Sequence, residues 1–253
     1  MTFKDLHNQS SPLLIGNVWD VPSTKTANTL NFQAIGTSSA AIAALLGYQD
    51  GEEMAFSELE YFIKKITQNT SLPVSVDIEA GYSRKPKVIV NHIKRLVQLG
   101  VVGINMEDSV IKKTRTLVPA DDFAEMLNEV NALLEQAEID IFINVRTDTF
   151  ILLQDNILEE TKKRMELYER VGANGIFIPC LEKESDIKEI VAATDLPINV
   201  MSMPNLPDFD TLGRLGVKRI STGNFLFDKM YQYFEKTTKD ILNEASFSPL
   251  FKC

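Results

Sequence analysis

The chain carries only two histidines and two cysteines in 253 residues. His7 lies near the start and His92 inside a helical pattern, and neither ends a strand-like run. Both are therefore assigned to structural or solvent-exposed positions, which argues against a Ser-His-Asp hydrolase and a histidine zinc site. Cys180 sits in an apolar run and Cys253 is the last residue, so no disulfide framework is visible. They read as a buried structural thiol and a free terminal one. No segment reaches the roughly 18 apolar residues of a membrane span. The stretch Met1 to Ser11 is polar and lacks the apolar core of a signal peptide, so the cytoplasm is the expected compartment. Positive charge is also in deficit: the formal net charge is -9. That disfavours a nucleic-acid backbone or an anionic membrane as partner. It does not disfavour a small anionic substrate, because a bound divalent cation can reverse the local field.

What the chain does have is alternation. Hydrophobic residues make up 44% and charged residues 24%, ordinary values for a protein with a sizeable core. Short runs rich in Val, Ile or Phe predict strands over Leu13–Trp19, Phe32–Ser38, Pro73–Glu79, Val102–Asp108, Ile141–Asp148, Gly175–Leu181, Pro197–Met203 and Arg219–Gly223. Between them, apolar residues three and four apart predict helices, among them Glu52–Thr67, Lys87–Leu99, Asp121–Gln136, Leu158–Val171 and Ser185–Ala193. Gly100, Gly172 and Gly216 stand where helices should stop before the next strand. Eight strand–helix alternations without a Pro-, Gly- or Ser-rich linker predict one α/β domain over 1–253, a (β/α)₈ TIM barrel. A doubly wound open sheet is the alternative, but its G-x-G-x-x-G turn is missing. Residues 225–253 predict an extended C-terminal helical segment with an apolar end, either capping the barrel or packing on a neighbouring subunit.

In a barrel the C-terminal ends of the strands form the active face. Here those ends read Gly36-Thr37-Ser38-Ser39, Asp77-Ile78-Glu79-Ala80-Gly81-Tyr82, Glu107-Asp108 and Arg146-Thr147-Asp148. Asp77, Glu79, Glu107 and Asp108 would lie within a few ångströms of one another, and strand alternation puts Asp77 and Glu79 on one side. Carboxylates that close raise one another's pKa unless a cation compensates them. Oxygen donors without histidine point to Mg²⁺, with Mn²⁺ as the alternative. Arg146 is the natural clamp for a carboxylate, since a guanidinium grips it in two places.

These pieces carry a resemblance. Gly36-Thr37-Ser38-Ser39-Ala40, Leu46-Gly47-Tyr48-Gln49-Asp50-Gly51, Asp77-Ile78-Glu79-Ala80-Gly81-Tyr82, Glu107-Asp108, Val145-Arg146-Thr147-Asp148 and Gly172-Ala173-Asn174-Gly175 follow in order at barrel-like spacing. Over nearly its whole length the chain resembles the isocitrate lyase and phosphoenolpyruvate mutase superfamily. The resemblance implies a Mg²⁺ site with Asp77 as the nearest ligand and Asp50, Glu79 and Glu107 acting through water. It implies that Ser38, Ser39 and Ala40 bind the substrate carboxylate and enolate oxygen, and that Arg146 stabilises charge on the same substrate. It further implies a homo-oligomer, a dimer or tetramer, often with the last helix exchanged between subunits.

The chain also departs from its relatives. The superfamily's isocitrate and methylisocitrate lyases carry a Lys-Cys-Gly-His type loop whose cysteine donates a proton. Here the loop reads Lys112-Lys113-Thr114-Arg115-Thr116, so that acid is missing. The mutase has Lys-Thr-Asn there and a histidine at the end of strand six. Lys113-Thr114 matches, while Arg115 and Pro179 do not. Lys113 and Tyr82 are the candidates for the missing acid or base, and the charged loop from Val110 to Pro119 is expected to close over the substrate. The expected activity is a Mg²⁺-dependent lyase or decarboxylase cleaving a C–C bond beside a small 2-oxo or 2-hydroxy carboxylate. The alternatives are a phosphorus–carbon mutase or hydrolase, and a barrel that binds a metabolite without turnover.

Overall fold

The computed structural model describes residues 2–111 and 113–251; Cys253 and the loop residue Lys112 lie outside them. In chain order the strands are β1 (Leu13–Val18), β2 (Ala34–Thr37), β3 (Val74–Asp77), β4 (Val101–Glu107), β5 (Ser109–Ile111), β6 (Arg115–Leu117), β7 (Phe142–Arg146), β8 (Gly175–Ile178), β9 (Ile198–Met201) and β10 (Arg219–Ser221). Eight of them close a parallel barrel in the order β1-β10-β9-β8-β7-β4-β3-β2, while β5 and β6 form a separate antiparallel hairpin. The open-sheet alternative is thereby overturned. The helices are α1 (Val21–Thr29), α2 (Ser39–Leu46), α3 (Phe56–Thr67), α4 (Pro86–Gln98), α5 (Ala120–Gln136), α6 (Thr149–Leu152), α7 (Ile157–Arg170), α8 (Glu184–Val191), α9 (Phe209–Leu215) and the C-terminal α10 (Phe225–Glu244).

Each predicted barrel strand is present, usually shorter at its C-terminal end. β3 stops at Asp77 instead of Glu79, and Glu79 takes a left-handed φ of 50°. Backbone pairing nevertheless continues past the strand ends. The amide of Glu107 donates to the carbonyl of Glu79 at 2.8 Å, and that of Asp108 to Arg146 at 2.9 Å. The functional ends of neighbouring strands are thus locked in register although they are no longer regular strand. Gly100, Gly172 and Gly216 all have φ above 90°, as the stops before β4, β8 and β10 require.

The core lies between the sheet and its helices: Ile35, Val76, Ile104, Val145, Ile176 and Val200 meet Ile63, Ile93, Leu127, Tyr168 and Ile190. The barrel interior is more polar. Asn144 donates to Asn105 at 2.9 Å and to Asn199 at 3.1 Å. Below them Arg219, 1% exposed, reaches towards Ser75 and Asn105, and burial lowers its pKa to about 10 against the favourable charge of Asp77.

Both histidines are packing residues. His7 stacks on Phe142 at 4.3 Å at the N-terminal end of the barrel, and burial with the charge of Arg219 pushes its pKa down to about 4. His92 stacks on Phe56 at 3.8 Å and pairs with the carbonyl of Gly81. Cys180 is free but half-buried rather than enclosed. No helix among the described residues is long and apolar enough to cross a membrane.

Candidate functional site

The ends of β2, β3, β4 and β7 bring most of the singled-out residues to one mouth. α2 begins there because Ser38 caps it, its hydroxyl accepting from the amide of Ala41 at 3.3 Å. The first helical amides, those of Ser39 and Ala40, have no carbonyl one turn back to bond. Ser39 donates its hydroxyl to Asp77 Oδ2 at 3.0 Å, and Asp77 Oδ1 accepts from the amide of Glu79 at 3.1 Å. Both oxygens of Asp77 are therefore oriented. Burial, opposed by the charge of Arg146, raises its pKa.

Glu79 and Asp77 converge, but not by the strand alternation expected, since Glu79 lies beyond β3 in a left-handed turn. Glu79 Oε1 accepts from the Tyr82 hydroxyl at 3.1 Å, while Oε2 is buried without a hydrogen-bond partner. Burial, reinforced by the charges of Asp50, Asp77 and Glu107, pushes the Glu79 pKa up to about 8. Tyr82 has its own pKa raised, first by burial and then by Glu79, so it is poorly suited to lose its proton.

Glu107 is 3% exposed and meets two guanidiniums: Arg146 Nη1 at 3.0 Å on Oε2, and Arg115 Nη1 in close contact on Oε1. Burial still prevails and brings its pKa to about 7. Arg146 is gripped on the other side by Asp148, Nε to Oδ1 at 2.6 Å and Nη2 to Oδ2 at 3.1 Å. Burial opposes the ionisation of Asp148, but the charge and hydrogen bonds of Arg146 hold its pKa below the usual carboxylate range.

Asp108 is not part of this cluster. It is fully buried on the opposite side of the strand end and accepts from Thr147, Arg164 and Tyr168 at 2.7, 2.9 and 2.8 Å. Successive residues of an extended chain face opposite ways, so Glu107 turns to the mouth and Asp108 to α7. Lys113 lies exposed at the hairpin turn and makes no hydrogen bond or ion pair among the described residues. Asp50 reaches the mouth from the loop between α2 and α3.

The residue that sequence reasoning passed over is Arg115. The segment Val110 to Pro119 was expected to be a closing loop. Most of it is the β5–β6 hairpin, and Arg115 points from it into the carboxylates. Its Nη2 lies 2.7 Å from Asp50 Oδ2, and its Nη1 lies 3.1 Å from Asp148 Oδ2. Two short runs, Ser109-Val110-Ile111 and Arg115-Thr116-Leu117, flanking a basic turn were the available signal, at three residues each too short for periodicity to register. A cavity of about 180 Å³ lies between Arg84, Glu107, Val110, Val118 and Phe123, and one of about 700 Å³ lies at the other end of the barrel beside Phe3 and Phe142.

A carboxyl whose folded pKa exceeds its unfolded value takes up a proton on folding. Its contribution to stability is full below the unfolded pKa and is lost as pH rises through the folded one. For Glu107 and Glu79 that window runs from the usual carboxylate range up to about 7 and about 8. Asp148, shifted the other way, acts only in acid, below its ordinary range. Without divalent cations the melting temperature should therefore fall by on the order of 5 °C between pH 5 and 8.5. A scanning-calorimetry profile that is flat or rising there contradicts this burial of the acids.

Residues 3–242 match the family model for phosphoenolpyruvate phosphomutase. The chain belongs to that family. An uncharacterized protein of Mycobacterium tuberculosis is 34% identical over 224 residues, 88% of this chain and 82% of its own. A crystal structure from Burkholderia cenocepacia, described as that of a candidate phosphonomutase, is 32% identical with a TM-score of 0.88, covering 94% of this chain and 97% of that one. An oxaloacetate decarboxylase of Pseudomonas putida is 26% identical over 88% of this chain and 77% of its own. Known members of the superfamily thus include decarboxylases, lyases and mutases that share this barrel.

Proposed function

We propose that this member is a Mg²⁺-dependent lyase or decarboxylase that breaks a C–C bond beside a small 2-oxo or 2-hydroxy carboxylate, with oxaloacetate as the first substrate to test. The observation that carries the reading is the buried acidic mouth beside Arg146, where Glu79 Oε2 has no partner and three carboxyl pKa values are raised. A hard cation suits these oxygen donors. Among the described residues no three such side chains close into a ready ligand set. An ion here would be held directly by one carboxylate and keep most of its own waters, the usual habit of Mg²⁺. Asp77 would hold it directly, and Asp50, Glu79 and Glu107 through water, with Mn²⁺ as a substitute. When bound, the cation supplies Lewis-acid stabilisation of the enolate oxygen.

The protein's own groups do the rest. The amides of Ser39 and Ala40, with the Ser38 turn, receive the substrate carboxylate at the start of α2. Arg146, its fork fixed by Asp148 and Glu107, neutralises charge on the same substrate. The C–C bond to the departing carboxylate breaks, its electron pair forms the enolate, CO₂ leaves, and the enolate carbon takes a proton from solvent water to give the shortened 2-oxo acid.

Incubation with oxaloacetate and Mg²⁺ should release pyruvate well above an enzyme-free control. Phosphate from phosphonopyruvate without pyruvate from oxaloacetate would transfer the assignment to phosphorus–carbon chemistry. Full recovery of both substrates would favour a binding protein.

We also propose that the protein works as a homo-oligomer. α10 and the turn after it expose Tyr233, Phe234, Leu242, Phe247 and Phe251, each at least 64% exposed. At its base an apolar groove of about 380 Å³ opens between Trp19, Leu30, Leu226 and Met230. Apolar surface on that scale is normally covered. Changing Phe234 and Phe247 together to Glu should convert a dimer or tetramer into monomer by analytical ultracentrifugation. A wild-type protein that already sediments as monomer removes the proposal.

A further inference from the structure

Arg115 places a positive charge on the very carboxylates assigned to the cation. Its Nη2 pairs with Asp50 Oδ2 at 2.7 Å, and its Nη1 contacts Glu107 Oε1, Ser109 Oγ at 3.0 Å and Asp148 Oδ2 at 3.1 Å. With Arg146 on Oε2, both oxygens of Glu107 are taken by guanidiniums. The side chain of Arg115 is only 14% exposed although it comes from a surface hairpin.

The hairpin is also fastened sterically to the loop that carries Asp50. Gly51, at φ 110°, leaves room for Ile111: a Cβ there would come within 2.3 Å of the Ile111 Cδ1. On its other side this loop is tied down by Glu52, which accepts from the Tyr82 amide at 2.6 Å and pairs with Arg84 at 2.7 Å. The Asp50 loop is thus the fixed side of the mouth. The hairpin is anchored at its foot by Ser109 and Val118, while its outer part meets that loop through Arg115 and Ile111, and this outer part is the side that would lift.

We propose that Arg115 is a tethered cation that competes with the divalent metal for Asp50 and Glu107, so that seating the hairpin and loading the metal oppose each other. The proposal rests on the metal reading above and adds a direction to it. Two ligands that need the same acceptors bind with negative coupling, and the coupling is reciprocal. Metal in the mouth therefore loosens the hairpin to the same degree that a seated Arg115 weakens the metal. The device lets the empty mouth neutralise its own carboxylates.

The test is a calorimetric titration of Mg²⁺, repeated with Mn²⁺, into the full-length wild type, Arg115→Ala and Arg115→Lys. Arg115→Ala should bind metal about tenfold more tightly, within the usual range of coupling between two sites. Arg115→Lys, with one charge but no fork to span two carboxylates, should fall between. A second readout needs no variant: trypsin should cut wild type after Lys113 faster in saturating Mg²⁺ than in EDTA. Wild-type binding that is unchanged or weakened in Arg115→Ala, or a hairpin that Mg²⁺ protects, overturns the competition and leaves the metal site standing. No metal binding in any of the three proteins overturns the site and the competition together.

Discussion

Replacing Asp77 by alanine should abolish Mg²⁺-dependent binding of oxalate, a flat mimic of an enolpyruvate, and lower kcat/KM by about a thousandfold or more. The size follows from what the side chain organises. One oxygen is held by Ser39 and the other by the Glu79 amide, so the carboxylate is fixed at the point where the substrate-binding turn meets the acidic mouth. Fixed charge of this kind needs no rearrangement when the oxyanion develops. The fold should tolerate the change, because burial already works against the charged form of Asp77. Asp77→Ala should accordingly melt no lower than wild type by more than a few degrees. Calorimetric titration of oxalate into both proteins, with and without Mg²⁺, decides the matter. Oxalate binding that ignores the metal or survives the substitution removes Asp77 from the site.

The barrel was legible because its signal is repeated and physically redundant. Strands such as Val101–Glu107 carry an unbroken apolar face in Val102, Ile104 and Met106, and glycines such as Gly100 mark where a helix must turn into the next strand. The ends of strands were read less well. Beyond Asp77 the backbone is shaped by pairing with a neighbouring strand end, so the period of two no longer says where Glu79 points. The division between Glu107 and Asp108 was legible in principle, since successive residues of an extended chain face opposite sides. Grouping all four acids by their place at the strand ends overlooked it. Arg115 was hidden for a different reason. Its partners Asp50, Glu107 and Asp148 stand far apart in sequence and meet only once the barrel closes. Comparison with relatives marked it as a departure, and geometry gives that departure a set of contacts.

Asp108 should be as important to the fold as Asp77 is to the chemistry. Changing it to alanine is expected to cost about 3–5 kcal/mol, the usual penalty for breaking a buried ion pair from one side. For a chain of this size that is a fall in melting temperature of about 10 °C. The reason is what the substitution strands. Arg164, 4% exposed, loses its partner at 2.9 Å and keeps Glu160 and the Tyr168 hydroxyl, while the Tyr168 and Thr147 hydroxyls and the Asp148 amide lose their acceptor. Burial raises the Asp108 pKa while Arg164 pulls it back, so the carboxylate depends on that guanidinium as much as the reverse. Removing both charges should therefore cost less than the two single changes added together. An Asp108→Ala, Arg164→Met double-mutant cycle measured by denaturant unfolding should return a coupling of about 1–3 kcal/mol. The damage should also spread to the mouth, because the Asp148 amide that Asp108 anchors belongs to the residue that aims Arg146. A single variant that melts within about 1 kcal/mol of wild type, or a cycle without coupling, would show that these contacts do not hold the strand ends together.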